Sequence, residues 1–164
     1  MSAHHHDENI RVLIADDDEH ILQAYREAFS DTESTQEMRA LDALAAELFE
    51  LSDVTDDEQH FDVVACSQGN DAIDLAKQAA NDGHPFDVII LDVRMPPGID
   101  GVEAGSRIRE LDPDVEIVFV TGFSDMPLEE LQRRVPPPLR LHYFNKPLSF
   151  SQLAQDVASM VRQH

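Results

Sequence analysis

The sequence predicts an α/β fold: a doubly wound five-stranded parallel sheet with helices on both faces and one inserted helix. Five short, almost continuous apolar segments predict strands buried on both faces, as in a parallel sheet. Segments with helical character lie between and after them, and this alternation is typical of a doubly wound sheet. A chain of 164 residues suits one such domain with its own core. The predicted strands are Ile10–Ala15, Phe61–Cys66, Phe86–Leu91, Val115–Val120 and Leu141–Phe144.

Five helices of this fold are predicted from apolar stripes and from the residues that end them. Gly83, Asp112-Pro113 and the run Pro136–Pro138 stop three of them, because glycine favours helix ends and proline cannot continue a helix. The first and last helices each carry an apolar stripe at helical spacing. The predicted helices are His20–Phe29, Asn70–Asn81, Gly101–Leu111, Ser124–Arg134 and Ser151–Val161.

An insertion of roughly 30 residues separates the first helix from the second strand, where such connections usually take about 2–6 residues. Ser34 to Glu37 form a capping-box pattern, and apolar residues from Met38 to Phe49 recur at helical spacing. We therefore predict a helical insertion in residues 31–60 of a domain spanning 10–164, after a flexible segment 1–9. Packing onto its own domain and a docking surface both fit this helix, and packing is slightly favoured.

Composition excludes several classes of protein. The net charge of −21, from 33 acidic and 12 basic residues, disfavours direct binding to nucleic acid, whose affinity comes largely from basic side chains. No apolar run approaches the length of about 18 residues that a membrane span needs. A single cysteine, Cys66, excludes an internal disulfide and is compatible with a reducing cytoplasm.

Polar residues of complementary chemistry stand at the ends of the predicted strands. Asp16 and Asp17 follow the first strand, Asp92 the third and Lys146 the fifth, with Thr121 at the end of the fourth. Parallel strands end at one edge of a sheet, so these side chains should converge. Clustered carboxylates repel unless a cation is present, and an oxygen-only site suits Mg²⁺. Such a site favours attack of a carboxylate on a phosphoryl group, with the lysine neutralising charge.

Four motifs at these positions match a known family. They are Val12–Asp17, Leu91–Pro96 continuing to Asp100-Gly101, Val120–Gly122 and Lys146-Pro147. On these motifs the chain resembles the receiver domains of bacterial two-component response regulators, from about residue 10 to 161 apart from the insertion. The resemblance implies the strand order 2-1-3-4-5 and a cis bond between Lys146 and Pro147.

The resemblance also implies a role for each matched residue. Asp92 would be the phosphoacceptor, and Asp16, Asp17, Asp92 and the backbone carbonyl of Arg94 would bind Mg²⁺. Lys146 and Thr121 would stabilise the phosphoryl group.

Thr121 and Tyr143 match the pair of residues that switches conformation in the family. An aromatic residue on an edge strand is an almost equally good interpretation of Tyr143. Asp18 is interpreted as a residue of the first helical turn rather than a third ligand. The loop from Met95 to Gly101 is one residue longer than the common form, and Gly98 is expected to absorb the extra bend.

The function expected from the resemblance is a phosphoacceptor switch rather than an enzyme, with Mg-dependent self-dephosphorylation as its one reaction. A histidine kinase or phosphotransfer protein would donate the phosphate. A downstream protein or a missing output domain would respond, through the fourth helix, fifth strand and fifth helix, or through a phosphorylation-dependent homodimer. The alternative is a phosphorylation-independent adaptor. A phosphatase is disfavoured because Arg94 stands where a second carboxylate is needed.

Overall fold

A computed structural model describes residues 9–29, 60–95, 98–122, 127–146 and 149–162 of the protein. Almost all of the insertion and the Lys146-Pro147 bond lie outside these ranges, so the predicted inserted helix and cis bond stay predictions. Within the ranges, strands and helices alternate as the sequence predicts. They are β1 (Asn9–Ala15), α1 (Glu19–Phe29), β2 (His60–Cys66), α2 (Gly69–Asn81), β3 (Val88–Asp92), α3 (Gly101–Leu111), β4 (Glu116–Thr121), α4 (Leu128–Arg134), a short 3-10 helix (Pro138–Arg140), β5 (Leu141–Asn145) and α5 (Phe150–Arg162).

The strands form one parallel sheet in the order β2-β1-β3-β4-β5, which confirms the predicted fold and strand order. β1 lies inside the sheet, where Val12 pairs with Val63 of β2 and with Val88 of β3. Every residue of β3 and β4 is buried, as their continuous apolar sequence predicts, whereas the edge strands β2 and β5 are half-buried. The strands all end at the same edge, called the carboxyl edge below.

Two hydrophobic cores cover the two faces of the sheet. On one face, α1 and α5 bury Leu22, Tyr25, Leu153 and Val157 against the strands. On the other face, α2, α3 and α4 bury apolar side chains against the strands. Gly105 of α3 lies so close to β4 that an added Cβ would be 2.7 Å from the Phe119 ring. Among the described helices, none is both long and apolar enough to cross a membrane.

Two predicted boundaries differ from the structure by more than one residue, and Asp18 lies outside the helix in which it was predicted. α4 begins at Leu128 rather than Ser124, since Pro127 is extended (φ −64°, ψ 150°) and caps the helix. β3 begins at Val88, two residues after Phe86, although the Asp87 amide already donates to the Arg11 carbonyl of β1 at 2.9 Å. Asp18 precedes α1, and its carboxylate accepts a hydrogen bond from the His20 amide at 2.9 Å. It is therefore an N-cap rather than a first-turn residue.

Candidate functional site

Three carboxylates meet at the carboxyl edge, as their positions after β1 and β3 predict. Oxygen atoms of Asp16, Asp17 and Asp92 lie within 4.8 Å of one another. Asp16 is 1% exposed and Asp92 7% exposed, whereas Asp17 faces solvent. Two of the three acids are thus held in a poorly solvated position, where their charges are costly without a cation.

Lys146, which directly follows β5, brings a positive charge to this cluster. Its Nζ lies 3.2 Å from Asp92 Oδ2, within hydrogen-bonding distance, and 3.6 Å from Asp16 Oδ2. Its backbone amide donates to the Thr121 carbonyl at 2.7 Å. The backbone of β4 therefore fixes the start of the lysine loop beside the two buried carboxylates.

Short turns after β1 and β3 fix the orientation of the buried carboxylates. Asp16 Oδ1 accepts a hydrogen bond from the Asp18 amide at 2.9 Å, and Asp92 Oδ1 accepts one from the Arg94 amide at 3.3 Å. The Asp16 amide itself donates to the Cys66 carbonyl of β2 at 3.1 Å. In each carboxylate one oxygen is held by the backbone, so the other is directed to Lys146.

Burial shifts the acid–base balance of the site. Desolvation raises the pKa of Asp16 from 3.8 to about 6, and repulsion from Asp92 adds to it against the attraction of Lys146. The pKa of Asp92 is also raised by burial, an effect that Lys146 opposes. Burial lowers the pKa of Lys146, but the charges of Asp16 and Asp92 outweigh it, so the net shift is upward. Lys146 therefore stays charged, and its single positive charge does not balance the carboxylates around it.

The chemistry of this donor set fits a magnesium ion. Asp16 Oδ2 is buried and has no hydrogen-bond partner, and a buried polar atom in that state calls for an additional ligand. Carboxylate oxygens are the ligands that Mg²⁺ prefers, usually one or two of them with water and phosphate oxygens. Arg94, whose carbonyl is the remaining predicted ligand, lies in the turn directly after Asp92. Its side chain is exposed.

The two residues predicted to switch conformation lie on adjacent strands. Thr121 ends β4, is fully buried and pairs in register with Asn145 of β5. Tyr143 is half-buried and packs against the core on the α2–α3–α4 face, where Phe119 is its register partner. A ring in this place fits both an edge aromatic and a switch residue, so the predicted role stays a prediction.

The lengthened loop after Asp92 is held by contacts that the sequence did not reveal. Gly101 begins α3 so close to β3 that an added Cβ would lie 2.0 Å from the Asp92 carbonyl oxygen. The Gly98 amide donates to Gln68 Oε1 of the β2–α2 loop at 3.2 Å. An added Cβ on Gly98 would lie 2.7 Å from that oxygen, so Gly98 makes room for Gln68. Nothing in the sequence marked Gln68 as the residue that supports this loop.

Comparison with known protein families gives a match to most of the chain. The model of the response regulator receiver domain family matches residues 45–158. This range includes Asp92, Thr121 and Lys146 but stops short of β1, whose Asp16 and Asp17 the structure brings to the same site. The matched range begins inside the insertion at 31–60, after β1 and α1.

Similar proteins include regulators and a sensor kinase. The chain is 31% identical over 77 residues to the response regulator receiver protein CpdR of Brucella abortus, covering 47% of this chain and 61% of CpdR. It is 29% identical over 122 residues to the C4-dicarboxylate transport transcriptional regulator DctD of Pseudomonas aeruginosa, covering 74% of this chain and 19% of DctD. It is 26% identical over 103 residues to the sensor kinase CckA of Brucella abortus, covering 63% of this chain and 10% of CckA. The chain thus matches less than two thirds of the length of each of these relatives.

Solved structures share the fold over nearly the whole chain. A response regulator receiver protein of Sinorhizobium medicae has a TM-score of 0.62 at 22% identity, covering 94% of this chain and 96% of that one. The response regulator TrrA of Thermotoga maritima, solved with Mg²⁺ and a beryllium fluoride, has a TM-score of 0.54 at 20% identity. The match covers 92% of this chain and 98% of TrrA. Since the family model matches more than half of the sequence and the sheet has the expected order, the protein belongs to the response regulator receiver domain family.

Proposed function

We propose that the protein is the phosphoacceptor switch of a two-component phosphorelay and that Asp92 accepts the phosphoryl group. One observation carries this proposal: Asp92 Oδ2 lies 3.2 Å from the Lys146 ammonium inside a cluster of three carboxylates at the carboxyl edge. A nucleophile, a cation for the phosphoryl oxygens and ligands for a metal are thus together. This combination supports phosphoryl transfer to a carboxylate.

The donor in this proposal is a histidine kinase or a phosphotransfer protein. An oxygen of Asp92 forms a bond to phosphorus while the bond from phosphorus to the donor imidazole nitrogen breaks, and that nitrogen keeps the electron pair. Lys146 neutralises charge on the phosphoryl oxygens, and the Thr121 hydroxyl donates a hydrogen bond to one of them. The exposed side chain of Arg94, two residues after the acceptor, would influence how fast the phosphoryl group is lost.

Magnesium is part of the proposal because the donor set fits it. Asp16, Asp17, Asp92 and the backbone carbonyl of Arg94 would hold the ion. When bound, it supplies positive charge to the phosphoryl oxygens. The residues themselves orient the acceptor: the backbone amides of Asp18 and Arg94 hold Asp16 and Asp92 in place.

Phosphorylation would add a charge of about −1.5 to −2 to a site that is already acidic. The response proposed is an inward shift of Thr121 and Tyr143 that changes the surface formed by α4, β5 and α5. A downstream protein, an attached output domain or a second copy of the chain would bind that surface. Mg-dependent self-dephosphorylation would reset the switch. A cytoplasmic location and a receiver domain at 10–164 with its insertion at 31–60 complete the proposal.

The test is phosphate uptake in the presence of Mg²⁺ and acetyl phosphate, followed by intact-protein mass spectrometry. We expect one added phosphate in the wild type and none in Asp92→Asn. The exposed Asp74 of α2 offers a matched control, and Asp74→Asn should behave as the wild type. Uptake that persists in Asp92→Asn would refute the assignment.

A phosphorylation-independent adaptor is not favoured, because this chain has the complete set of acidic pair, acceptor, hydroxyl and lysine in one place. Beryllofluoride, which mimics a phosphoryl group, separates the two functions. With saturating Mg²⁺ it should shift amide signals around Asp92, Thr121 and Tyr143 in an NMR spectrum. An unchanged spectrum would support the adaptor instead.

A further inference from the structure

Gln68 occupies the N-cap position of α2, but its side chain does not cap the helix. Its backbone is extended (φ −139°, ψ 152°), and its side chain makes no capping hydrogen bond. Serine, threonine, aspartate and asparagine are preferred at this position because their short side chains accept a bond from the first helical turn. The longer Gln68 side chain instead accepts the bond from the Gly98 amide, 30 residues further along the chain, at 3.2 Å. Gln68 is thus poorly suited to start α2 and well suited to reach the loop after Asp92.

The loop after Asp92 is braced against the backbone of the acceptor itself. An added Cβ on Gly101 would overlap the Asp92 carbonyl oxygen, and the Gly101 amide donates to the Val93 carbonyl at 2.8 Å. The backbone around Val93 is therefore packed against the start of α3. Gly98 lies three residues before that start, so a shift at Gly98 reaches the turn in which the Arg94 amide holds Asp92 Oδ1.

Gly69, the first residue of α2, makes a second contact with the same loop. An added Cβ on Gly69 would lie 2.9 Å from the Ile99 side chain and 3.2 Å from Ala104 of α3. Contacts packed this closely leave no space that could absorb a displacement. The connection between β2 and α2 thus holds the loop through one hydrogen bond and one close-packed contact.

The same connection also holds the first carboxylate of the site. The Cys66 carbonyl, at the end of β2, accepts a hydrogen bond from the Asp16 amide at 3.1 Å. Asp16 and the loop after Asp92 are therefore tied to two points of one short segment, residues 66–69. A change in this segment alters how the two halves of the carboxylate cluster lie relative to each other.

We propose that Gln68 is a positioning residue of the phosphorylation site, which aligns the loop after Asp92 with Asp16 and thereby strengthens Mg²⁺ binding and speeds phosphate uptake. The proposal rests on the proposed function and deepens it. Gln68 acts through the backbone of Gly98 and Gly101 rather than on the ion. Mg²⁺ requires near-ideal octahedral geometry with bonds of about 2.1 Å, so its affinity responds to small displacements of oxygens from either half of the cluster.

The first test is Gln68→Ser, with Mg²⁺ titrated against the amide signals of Asp92 and Arg94 in NMR spectra without phosphate. Serine is a preferred N-cap but is too short to reach Gly98, so the free energy of unfolding should equal or exceed that of the wild type. The Kd for Mg²⁺ should nevertheless rise about 2- to 10-fold, the effect of one ordinary hydrogen bond. Phosphate uptake from acetyl phosphate should slow by a similar factor. Gln78→Ser on the exposed face of α2 is the control and should change neither quantity.

A second variant approaches the same bond from the other side. Among the described atoms beyond its chain neighbours, an added Cβ on Gly98 meets only the end of the Gln68 side chain, at 2.7 Å from Oε1. Gly98→Ala should therefore displace that side chain and weaken Mg²⁺ binding as Gln68→Ser does. In the Gln68→Ser background, Gly98→Ala should have no further effect, because both variants remove one and the same interaction. If Gln68→Ser does not fold, the effect of Gly98→Ala on the Kd decides the matter.

Three results would overturn the inference. One is a Kd for Mg²⁺ in Gln68→Ser equal to that of the wild type, or a wild type that binds no Mg²⁺. Another is an undiminished effect of Gly98→Ala in the Gln68→Ser background. The third is a rise in Kd that comes with an equal loss of stability, which would leave Gln68 a purely structural role. Failure of the proposed function is distinguishable, because the wild type would then bind Mg²⁺ without taking up phosphate on Asp92, and the Kd values would still decide the role of Gln68.

Discussion

Two buried charge clusters at opposite ends of the sheet differ in how completely the protein neutralises them. At the carboxyl edge, Lys146 faces the carboxylates of Asp16, Asp17 and Asp92. At the other edge, Glu116 at the start of β4 is held on both oxygens. Arg140 binds one at 2.9 Å and His142 the other at 2.8 Å.

The difference separates a buried acid with a partner on each oxygen from one that lacks a partner on one oxygen. Glu116 is 3% exposed, and its two partners join the start of β4 to His142 of β5 and to Arg140 just before that strand. Asp16 is equally buried but keeps an oxygen without a hydrogen-bond partner and a raised pKa. A buried acid with complete partners stabilises the fold, whereas one with incomplete partners costs stability until a cation binds.

The largest expected effect comes from removing the positive charge at the carboxyl edge. Lys146→Ala should slow phosphate uptake from acetyl phosphate by about 10²- to 10³-fold, because one charge-stabilising donor of the transition state is lost. Lys77→Ala on the exposed face of α2 is the control and should leave the rate unchanged. A rate within twofold of wild type in Lys146→Ala would show that the lysine has no part in transfer.

The second effect concerns the cluster of Glu116, Arg140 and His142 at the other edge of the sheet. Glu116→Gln should lower the free energy of unfolding by about 2 kcal/mol, since the charge-assisted bonds to Arg140 and His142 are weakened in a buried place. Urea unfolding measures this, with Glu129→Gln on the surface of α4 as the control. Phosphate uptake should not change. Stability equal to wild type would mean that the cluster at this end is not structural.

The same acid-to-amide change at the carboxyl edge should have the opposite effect on the free energy of unfolding. Asp16→Asn should raise the free energy of unfolding of the magnesium-free protein by about 1–2 kcal/mol at pH 7, because it removes a buried charge whose pKa is raised. Saturating Mg²⁺ at about 100 times its Kd should stabilise the wild type by about 2.7 kcal/mol and the variant much less. Destabilisation of Asp16→Asn without Mg²⁺ would contradict the comparison.

The smallest effect is a pH dependence of the difference in unfolding free energy between Asp16→Asn and the wild type. The pKa of Asp16 is 3.8 unfolded and about 6 folded, so between these values the folded state keeps a proton that the unfolded state has lost. The contribution of Asp16 to stability is therefore fully present below about pH 4 and is lost as the pH rises through about 6. The stability gap between Asp16→Asn and wild type should close below pH 4. A gap that is constant from pH 4 to 7 would mean that Asp16 does not titrate in this range.

Much of the fold and the cluster of site residues could be predicted from the sequence, because both depend on order along the chain. Continuous apolar runs predicted β1, β3 and β4. An acid, hydroxyl or lysine at the ends of the first, third, fourth and fifth strands predicted the convergence of Asp16, Asp17, Asp92 and Lys146. The order of parallel strands then fixes which ends are neighbours.

Features that depend on contacts between distant segments could not be predicted. Glu116 lies in a run that reads as apolar, and only the register of β5 beside β4 brings Arg140 and His142 to it. The support of Gly98 by Gln68 and the contact of Tyr25 with Phe150 likewise join separate elements. The start of α4 was wrong because Pro127 lies before its first residue and was counted as helical.

The place of β1 inside the sheet has a consequence for the order of folding. β1 is made first, yet its hydrogen-bonding partners on either side, β2 and β3, come only after the long insertion. Contacts between segments far apart in the chain form slowly, since the intervening chain must first be closed into a loop. A nascent chain thus holds Asp16 and Asp17 long before Lys146 exists. The cluster of Asp16, Asp17, Asp92 and Lys146 can then be complete only after the chain has been synthesised through β5.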